Sequence, residues 1–289
     1  MNSTSPQSQT PSPSTDVIAF IGGGNMARSL IGGLVARGTP AENLRVAEPV
    51  ESLREALQKD FGVRCFATAA EAANGASAWL FAVKPQVMRT VCSELSAQAL
   101  ERHPVAISIA AGITAGQMAR WLGAEAGKPV AVVRAMPNTP SLIGEGMTGL
   151  YANADVSPAQ REQTGNLLSA VGPTVWIDDE AQMDAVTAVS GSGPAYLFLL
   201  AEAMQTAGEA QGLPAEKARA LATQTLLGAA QMLAQSGELP ATLRSRVTSP
   251  GGTTHAAVQA FESGGFHALV ATAIQAATER GRELSAAND

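Results

Sequence analysis

The segment that most constrains this chain is Val17-Ile18-Ala19-Phe20-Ile21 followed at once by Gly22-Gly23-Gly24-Asn25-Met26-Ala27. A short apolar run bounded by glycines reads as a buried strand. Asn25–Arg37 then has the periodicity of a helix, with Gly38 expected as its C-cap. The glycines follow the pattern Gly22-x-Gly24-x-x-Ala27 in the strand–turn–helix context of a dinucleotide-binding fingerprint. Gly22 permits the tight turn, Gly24 lets a pyrophosphate approach the backbone, and the small Ala27 lets helix pack on strand. The first amides of the helix then face phosphates. The competing reading is an ordinary tight strand–helix turn.

The rhythm set by this unit continues. Leu44–Ala47 reads as a second strand and Val50–Phe61 as a charged amphipathic helix. Ala78–Val83 is a third strand, Val87–Glu101 a helix, and Val105–Ala110 and Val130–Arg134 two further strands. A late strand is expected near Thr174–Ile177. Strands separated by helices of about ten residues or more imply right-handed crossovers and a parallel sheet.

After about Asp178 the strand-like runs stop and alanine-rich helical patterns take over. Ser192-Gly193-Pro194 opens one helix running to about Gln211, with proline at an early helical position. Further helices are expected over Pro214–Ser236, Thr254–Ser263 and Phe266–Ser285. Ala222–Ala234 carries no charge on any face, so it should be buried, and a subunit interface is the natural place for it. The fold class is therefore an α/β N-terminal Rossmann-like domain with a parallel sheet, over residues 16–178, plus an all-α C-terminal domain over 179–289. Residues 1–15 are almost all Ser, Thr, Pro, Gln and Asn, and read as a disordered tail.

Composition excludes several classes. With 19 basic and 25 acidic residues the formal charge is −6, which gives no support for nucleic acid or an anionic membrane surface as partner. The longest uncharged stretches are broken by Gly, Ser, Pro, Gln or Thr, so no membrane span is expected. The 2 cysteines, Cys65 and Cys92, read as reduced thiols of a cytoplasmic protein. His103, His255 and His267 make no metal-ligand spacing, so no metal is expected.

Other segments fall where chemistry would be placed. Glu48 ends the second strand about 20 residues beyond the fingerprint, where an acid accepts from the ribose 2′-hydroxyl of NAD and repels the 2′-phosphate of NADP. Arg45 and Arg54 are near enough in sequence to answer such a phosphate, so the preference between the two stays open. Ala82-Val83-Lys84-Pro85 and Ala110-Ala111-Gly112 lie at the carboxyl ends of strands, where open parallel sheets bind ligands. Arg134–Pro140 is a polar loop. Ser190–Tyr196 and Ser249–Thr254 each open a helix and suit a small carboxylate. Each also reads as a simple cap.

Taken together, Phe20–Met26, Ala82–Pro85, Ala110–Gly112, Met136–Pro140, Ser190–Tyr196, Ser249–Thr254 and Glu262–Phe266 resemble pyrroline-5-carboxylate reductases. The resemblance spans Ile18 to Leu284. It implies NAD(P)H-dependent reduction of 1-pyrroline-5-carboxylate to L-proline, the final step of proline synthesis. It also implies a helical domain that builds an interlocked homodimer, in a family where larger rings of dimers occur. By position, Gly22, Gly23, Gly24, Asn25, Met26 and Ala27 with Ala82, Val83, Lys84 and Pro85 would hold NADP(H) or NAD(H). Ala110, Ala111 and Gly112 would lie near the nicotinamide.

Glu180 matches a carboxylate near the active site, and Thr253 and Thr254 match a substrate-holding pair beside Gly251 and Gly252. Ser190 joins them as a substrate-binding candidate. The chain departs from the family at Ala69, where many members have Asn, at Glu48, where members preferring NADP often have a small polar residue, and at His255, which receives no role. No strong general acid stands in the Gly-Gly-Thr-Thr motif, so Thr254 is the catalytic candidate, hydrogen-bonding the ring nitrogen. Two other readings stand beside this one. A 3-hydroxyacid dehydrogenase would need a helix lysine, for which only Lys217 is available after Lys128. A nucleotide sensor without catalysis would not need the Ser190 and Ser249 loops.

Overall fold

The structure, a computed structural model, describes residues 16–124 and 127–288. The tail expected over 1–15 lies outside these residues. The described chain forms two compact units, one up to Gly191 plus the residues from Arg280 on, the other Ser192–Glu279.

The first unit starts with β1 (Ile18–Ile21), α1 (Asn25–Ala36), β2 (Leu44–Ala47), α2 (Glu51–Phe61), β3 (Arg64–Phe66), α3 (Ala69–Ala73) and β4 (Ala78–Phe81). It continues with α4 (Pro85–Arg102), β5 (Val105–Ser108), α5 (Ala115–Trp121), β6 (Val132–Met136), β7 (Thr148–Ala152), α6 (Pro158–Leu168), β8 (Thr174–Trp176) and α7 (Met183–Val186). The strands form one 8-stranded sheet in the order β3-β2-β1-β4-β5-β6-β7-β8. Strands β1, β4 and β5 are buried on both faces, as a sheet covered by helices on each side requires. Phe20, Leu30, Leu44, Leu80 and Ile107 pack on one face, and Trp79, Phe81, Met88, Leu95 and Met118 on the other.

The expected parallel sheet needs one correction, because β6 and β7 are antiparallel. No crossover helix separates them; only a short 3-10 turn, Thr139–Ile143, lies between. A parallel return needs a longer connection. Strands β3 and β7 lie outside the expected set: β3 has only 3 residues and opens on exposed Arg64, and the apolar run of β7 is cut short by Thr148 and Gly149. Helices α3, α5 and α6 also lie outside the helices expected from periodicity, yet each opens with a capping box, Thr68 with Glu71, Thr114 with Gln117 and Ser157 with Gln160. At the end of α1 the C-cap is Arg37, with Gly38 following at φ +91°.

Strands do stop near 178, but the chain stays on the sheet unit through α7 to Gly191. Met183 is fully buried there, and Asp184 reaches a buried arginine of β6. The second unit holds α8 (Gly193–Ala210), α9 (Ala215–Ser236), α10 (Pro240–Arg246), α11 (Thr253–Ser263) and most of α12 (Phe266–Ala287). The expected burial of Ala222–Ala234 is not met within one chain. Leu227 is 50% exposed, Met232 53% and Leu233 48%. An apolar groove of about 780 Å³ also opens among α8, α11 and α12, lined by Tyr196, Leu200, Phe261, Phe266, Leu269 and Ile274. A single copy supplies no side chains to cover these faces.

Candidate active site

The carboxyl ends of β1 and β4 lie side by side where the strand order turns back on itself, the switch point at which open α/β sheets bind ligands. Gly22 N–H donates to the Ala47 carbonyl (2.9 Å), and Ala82 N–H donates to the Ile21 carbonyl (2.8 Å). The first bond ties the glycine turn to the end of β2, and the second brings the Ala82–Pro85 segment beside it. Gly22 has φ +104°, and a Cβ there would meet the Ala82 carbonyl oxygen at 2.8 Å. At Gly24, by contrast, a Cβ would meet nothing within 4 Å. That opening sits at the N-terminus of α1, whose first turn carries no acid and whose cap takes no side-chain hydrogen bond. The first-turn amides have no intrahelical partner, so the turn fits a dinucleotide's diphosphate. Asn25 and Met26 begin the helix, and Ala27 is fully buried against the sheet.

Glu48 follows β2 and is buried. Its Oε2 accepts from Gly23 N–H (3.2 Å) and its Oε1 from Val50 N–H (3.0 Å). Arg54 donates to the carbonyls of Glu48 and Pro49, both at 2.8 Å. Arg45 is turned to the Asn74 carbonyl instead. After β4, Ala82 and Val83 are half-buried, exposed Lys84 caps α4, and Pro85 is its first residue.

The turn after β5 holds Ala110, Ala111 and Gly112. Ala110 N–H donates to Ser108 Oγ (3.3 Å), and Gly112 takes φ +73°. The Gly112 carbonyl accepts from Asn288 Nδ2 (3.0 Å), so the end of α12 backs this turn. Glu180 lies close by in the first unit. Its Oε1 accepts from Ala115 N–H at 2.7 Å, at the start of α5, and stands 3.4 Å from the guanidinium of buried Arg134. Arg134 also faces Asp184 at 3.6 Å. Burial, then the charges of Glu180 and Asp179, push the Tyr151 hydroxyl above its ordinary range.

Ser190 sits in a π-helical turn, Thr187–Gly191. Asn138 Nδ2 donates to its carbonyl (3.2 Å) and its Oγ (3.3 Å), while Asn138 Oδ1 accepts from Met147 N–H (2.9 Å). Sequence reasoning assigned no role to Arg134 or Asn138. Both stand in the Arg134–Pro140 segment expected to be a polar loop, of which the structure places Arg134–Met136 in β6, and nothing local names their partners.

In the second unit, Gly251 takes φ +74°, Gly252 is the N-cap of α11, and Thr253 and Thr254 are its first two residues. No side chain caps this helix and its first turn has no acid. His255 Nδ1 accepts from Gly251 N–H (3.1 Å), holding the turn from the third helical position. Among the described residues no group of three or more His, Cys, Asp or Glu is placed to hold a metal ion.

A family model described as pyrroline-5-carboxylate reductase dimerisation matches residues 180–284. One described as NADP oxidoreductase, coenzyme F420-dependent, matches residues 17–112. A pyrroline-5-carboxylate reductase of Pseudomonas aeruginosa is 54% identical over 272 residues, covering 94% of this chain and 98% of the relative. This chain belongs to the pyrroline-5-carboxylate reductase family. The solved pyrroline-5-carboxylate reductase of Coxiella burnetii has a TM-score of 0.90 at 40% identity, over 94% of this chain and 99% of its own. The Plasmodium falciparum pyrroline carboxylate reductase, crystallised with NADP bound, has a TM-score of 0.80 at 28% identity, over 95% of this chain and 100% of its own. The Gly22–Ala27 turn thus belongs to a reductase, and α8–α12 to a dimerisation domain.

Proposed function

We propose that this chain reduces 1-pyrroline-5-carboxylate to L-proline with NADH or NADPH as reductant, the closing step of proline biosynthesis. The observation that carries this reading is the match of nearly the whole chain to reductases of that name. The open turn at the switch point supports it. When bound, the reduced nicotinamide supplies hydride.

The chain's own residues do the rest. Gly22 and Gly23 shape the turn, their own N–H groups held by the Ala47 carbonyl and by Glu48, while the amides of Gly24, Asn25, Met26 and Ala27 face the diphosphate, and Ala82, Val83, Lys84 and Pro85 flank it. Ala110, Ala111 and Gly112 form the wall on the nicotinamide side. In the helical unit, Gly251 and Gly252 form the turn, their N–H groups held by His255 Nδ1 and the Ser249 carbonyl, and the amides of Thr253 and Thr254 bind the substrate carboxylate. The Thr254 hydroxyl hydrogen-bonds the ring nitrogen and relays a proton to it from water. Ser190 and Glu180 border the substrate; Glu180 does so while held by Arg134. Binding and orientation of the imine supply much of the rate.

The test is loss of nicotinamide absorbance with 1-pyrroline-5-carboxylate, against a panel of 3-hydroxyacids. Turnover of the imine is expected. Oxidation of a hydroxyacid without turnover of the imine would favour the dehydrogenase reading, and nucleotide binding without either would favour the sensor. Lys217, the one lysine the dehydrogenase reading has, is an exposed residue in the first turn of α9.

We take the partners to be the small-molecule substrate and a second copy of the chain, with the helical region from 179 on as the dimer's seat and rings of such dimers as a higher assembly. No helix among the described residues is long and apolar enough to cross a membrane. The cytoplasm is the compartment we propose, on the two free thiols.

A further inference from the structure

We propose that Glu48 makes this reductase selective for NAD(H) over NADP(H). The inference rests on reading Gly22–Ala27 as the diphosphate turn, and it concerns the corner beside that turn.

Glu48 is only 8% exposed, and both its oxygens are held by backbone donors, Gly23 N–H at 3.2 Å and Val50 N–H at 3.0 Å. An ionised carboxylate has about four acceptor positions, so two remain for further donors. A ribose 2′-hydroxyl can donate to one of them. A 2′-phosphate brings acceptors and a charge near −2, and it meets a fixed negative charge instead. Glu48 does not swing aside cheaply, because its departure leaves the amides of Gly23 and Val50 unsatisfied.

The structure also decides what the nearby cations do. Arg54 spends Nη1 on the carbonyls of Glu48 and Pro49, the same turn that presents the carboxylate. Arg45, which the sequence sets equally near, is committed to the Asn74 carbonyl. A phosphate at this corner therefore meets Glu48, and the arginine nearest to it is already engaged with the backbone. Removing the carboxylate frees the corner, and Arg54, which spends only Nη1 on the backbone, keeps Nε and Nη2 as donors for a phosphate.

Calorimetric titration of the full chain reads this without turnover. The probes are NAD⁺ against NADP⁺, and 5′-AMP against 2′,5′-ADP, which differ by the 2′-phosphate alone. In each pair the wild type is expected to bind the form lacking that phosphate at least about 10-fold tighter, the scale of one charge-assisted hydrogen bond. Glu48→Ser should narrow the NAD⁺:NADP⁺ ratio by about 10-fold or more through a gain in NADP⁺ affinity, and adding Arg54→Met should remove that gain. Glu48→Gln, which keeps the size and drops the charge, should narrow the ratio in the same direction.

Equal or tighter binding of NADP⁺ by the wild type overturns the proposal, as does an unchanged ratio in folded Glu48→Ser. The AMP pair in the wild type keeps the test open if the Ser variant does not fold. Gly24→Val separates the underlying reading, since a side chain in that opening should abolish binding of both dinucleotides. Undiminished binding there would refute the diphosphate turn itself.

Discussion

At the scale of single residues, two positions carry predictions of different kinds. Thr254 is the second residue of α11 behind the N-cap Gly252, and no side chain caps this helix, so the expected role of Thr254 as a cap is not met and its hydroxyl is not spent on the helix end. If it serves the nitrogen, Thr254→Ala lowers turnover more than it weakens substrate binding, because the hydrogen bond strengthens as the nitrogen gains charge. The expected loss is about 10- to 1000-fold in kcat, or about 1.4–4 kcal/mol, with Thr254→Ser retaining most activity. Near wild-type turnover in folded Thr254→Ala would leave the hydroxyl without a part in the reaction. Cys92 is the second case. It is fully buried, and burial pushes its thiol up to about 12 from an ordinary 9.0. The raised value means the folded chain keeps a proton that the unfolded chain gives up. That stabilisation is complete below pH 9 and is lost between pH 9 and 12, at about 1.4 kcal/mol per pH unit. Urea unfolding across that window should therefore show a steeper loss for the wild type than for Cys92→Ala. Parallel curves would contradict it.

At the scale of elements, the tie between β6 and the segment before α8 is the most consequential. Arg134 projects from β6 into Glu180 and Asp184, and Glu180 also takes the first amide of α5. One buried guanidinium thus holds β6, α5 and α7 in register, beside the π-helical turn that presents Ser190. Arg134→Met would leave Asp184 buried beside an apolar chain. The expected cost is about 3–5 kcal/mol in urea unfolding at neutral pH, the range for stripping one partner from a buried pair. A loss below about 1 kcal/mol would show the pair to be solvated and unimportant. The missed helices teach a related lesson. Helices α3 and α5 are short, and α6, with 11 residues, buries only Thr164, Leu167 and Leu168, so their apolar periodicity is weak, but their capping boxes are written in the sequence at Thr68, Thr114 and Ser157. Start signals were the better guide there. Strand β3 offers no such signal; it exists because β2 presents an open edge to it.

At the scale of the whole molecule, the exposed apolar surface of the helical unit needs a partner. Among its described residues only Ala218 and Ala222 are buried, while Phe198 is 70% exposed and Leu269 68%. Obligate interfaces look like a core cut in half, and this unit has that composition. The wild type should sediment as a dimer or larger at micromolar concentration. Leu227→Glu, placed on a face that is open in one chain, should shift it toward monomer or aggregate. A monomeric wild type would refute the interface, and so would an unchanged assembly in the variant.

The sequence by itself determined the local grammar. The run Ile18–Ile21 with its glycines wrote the first strand, the turn and the helix, because apolar periodicity and glycine's freedom act over a few residues. The central parallel strands and the five helices from 193 on followed in the same way, apart from α10, which is too short to show a period. Only the tertiary structure decided which cations answer which anions. Glu180 and Asp184 are far from Arg134 in sequence, and Asn138 finds Ser190 across a similar gap. Glu48 and Arg54 could be read as rivals for one phosphate until their partners were fixed by the turn that holds them both. Pairing of that kind depends on which strand lies beside which, and strand order is a property of the assembled sheet.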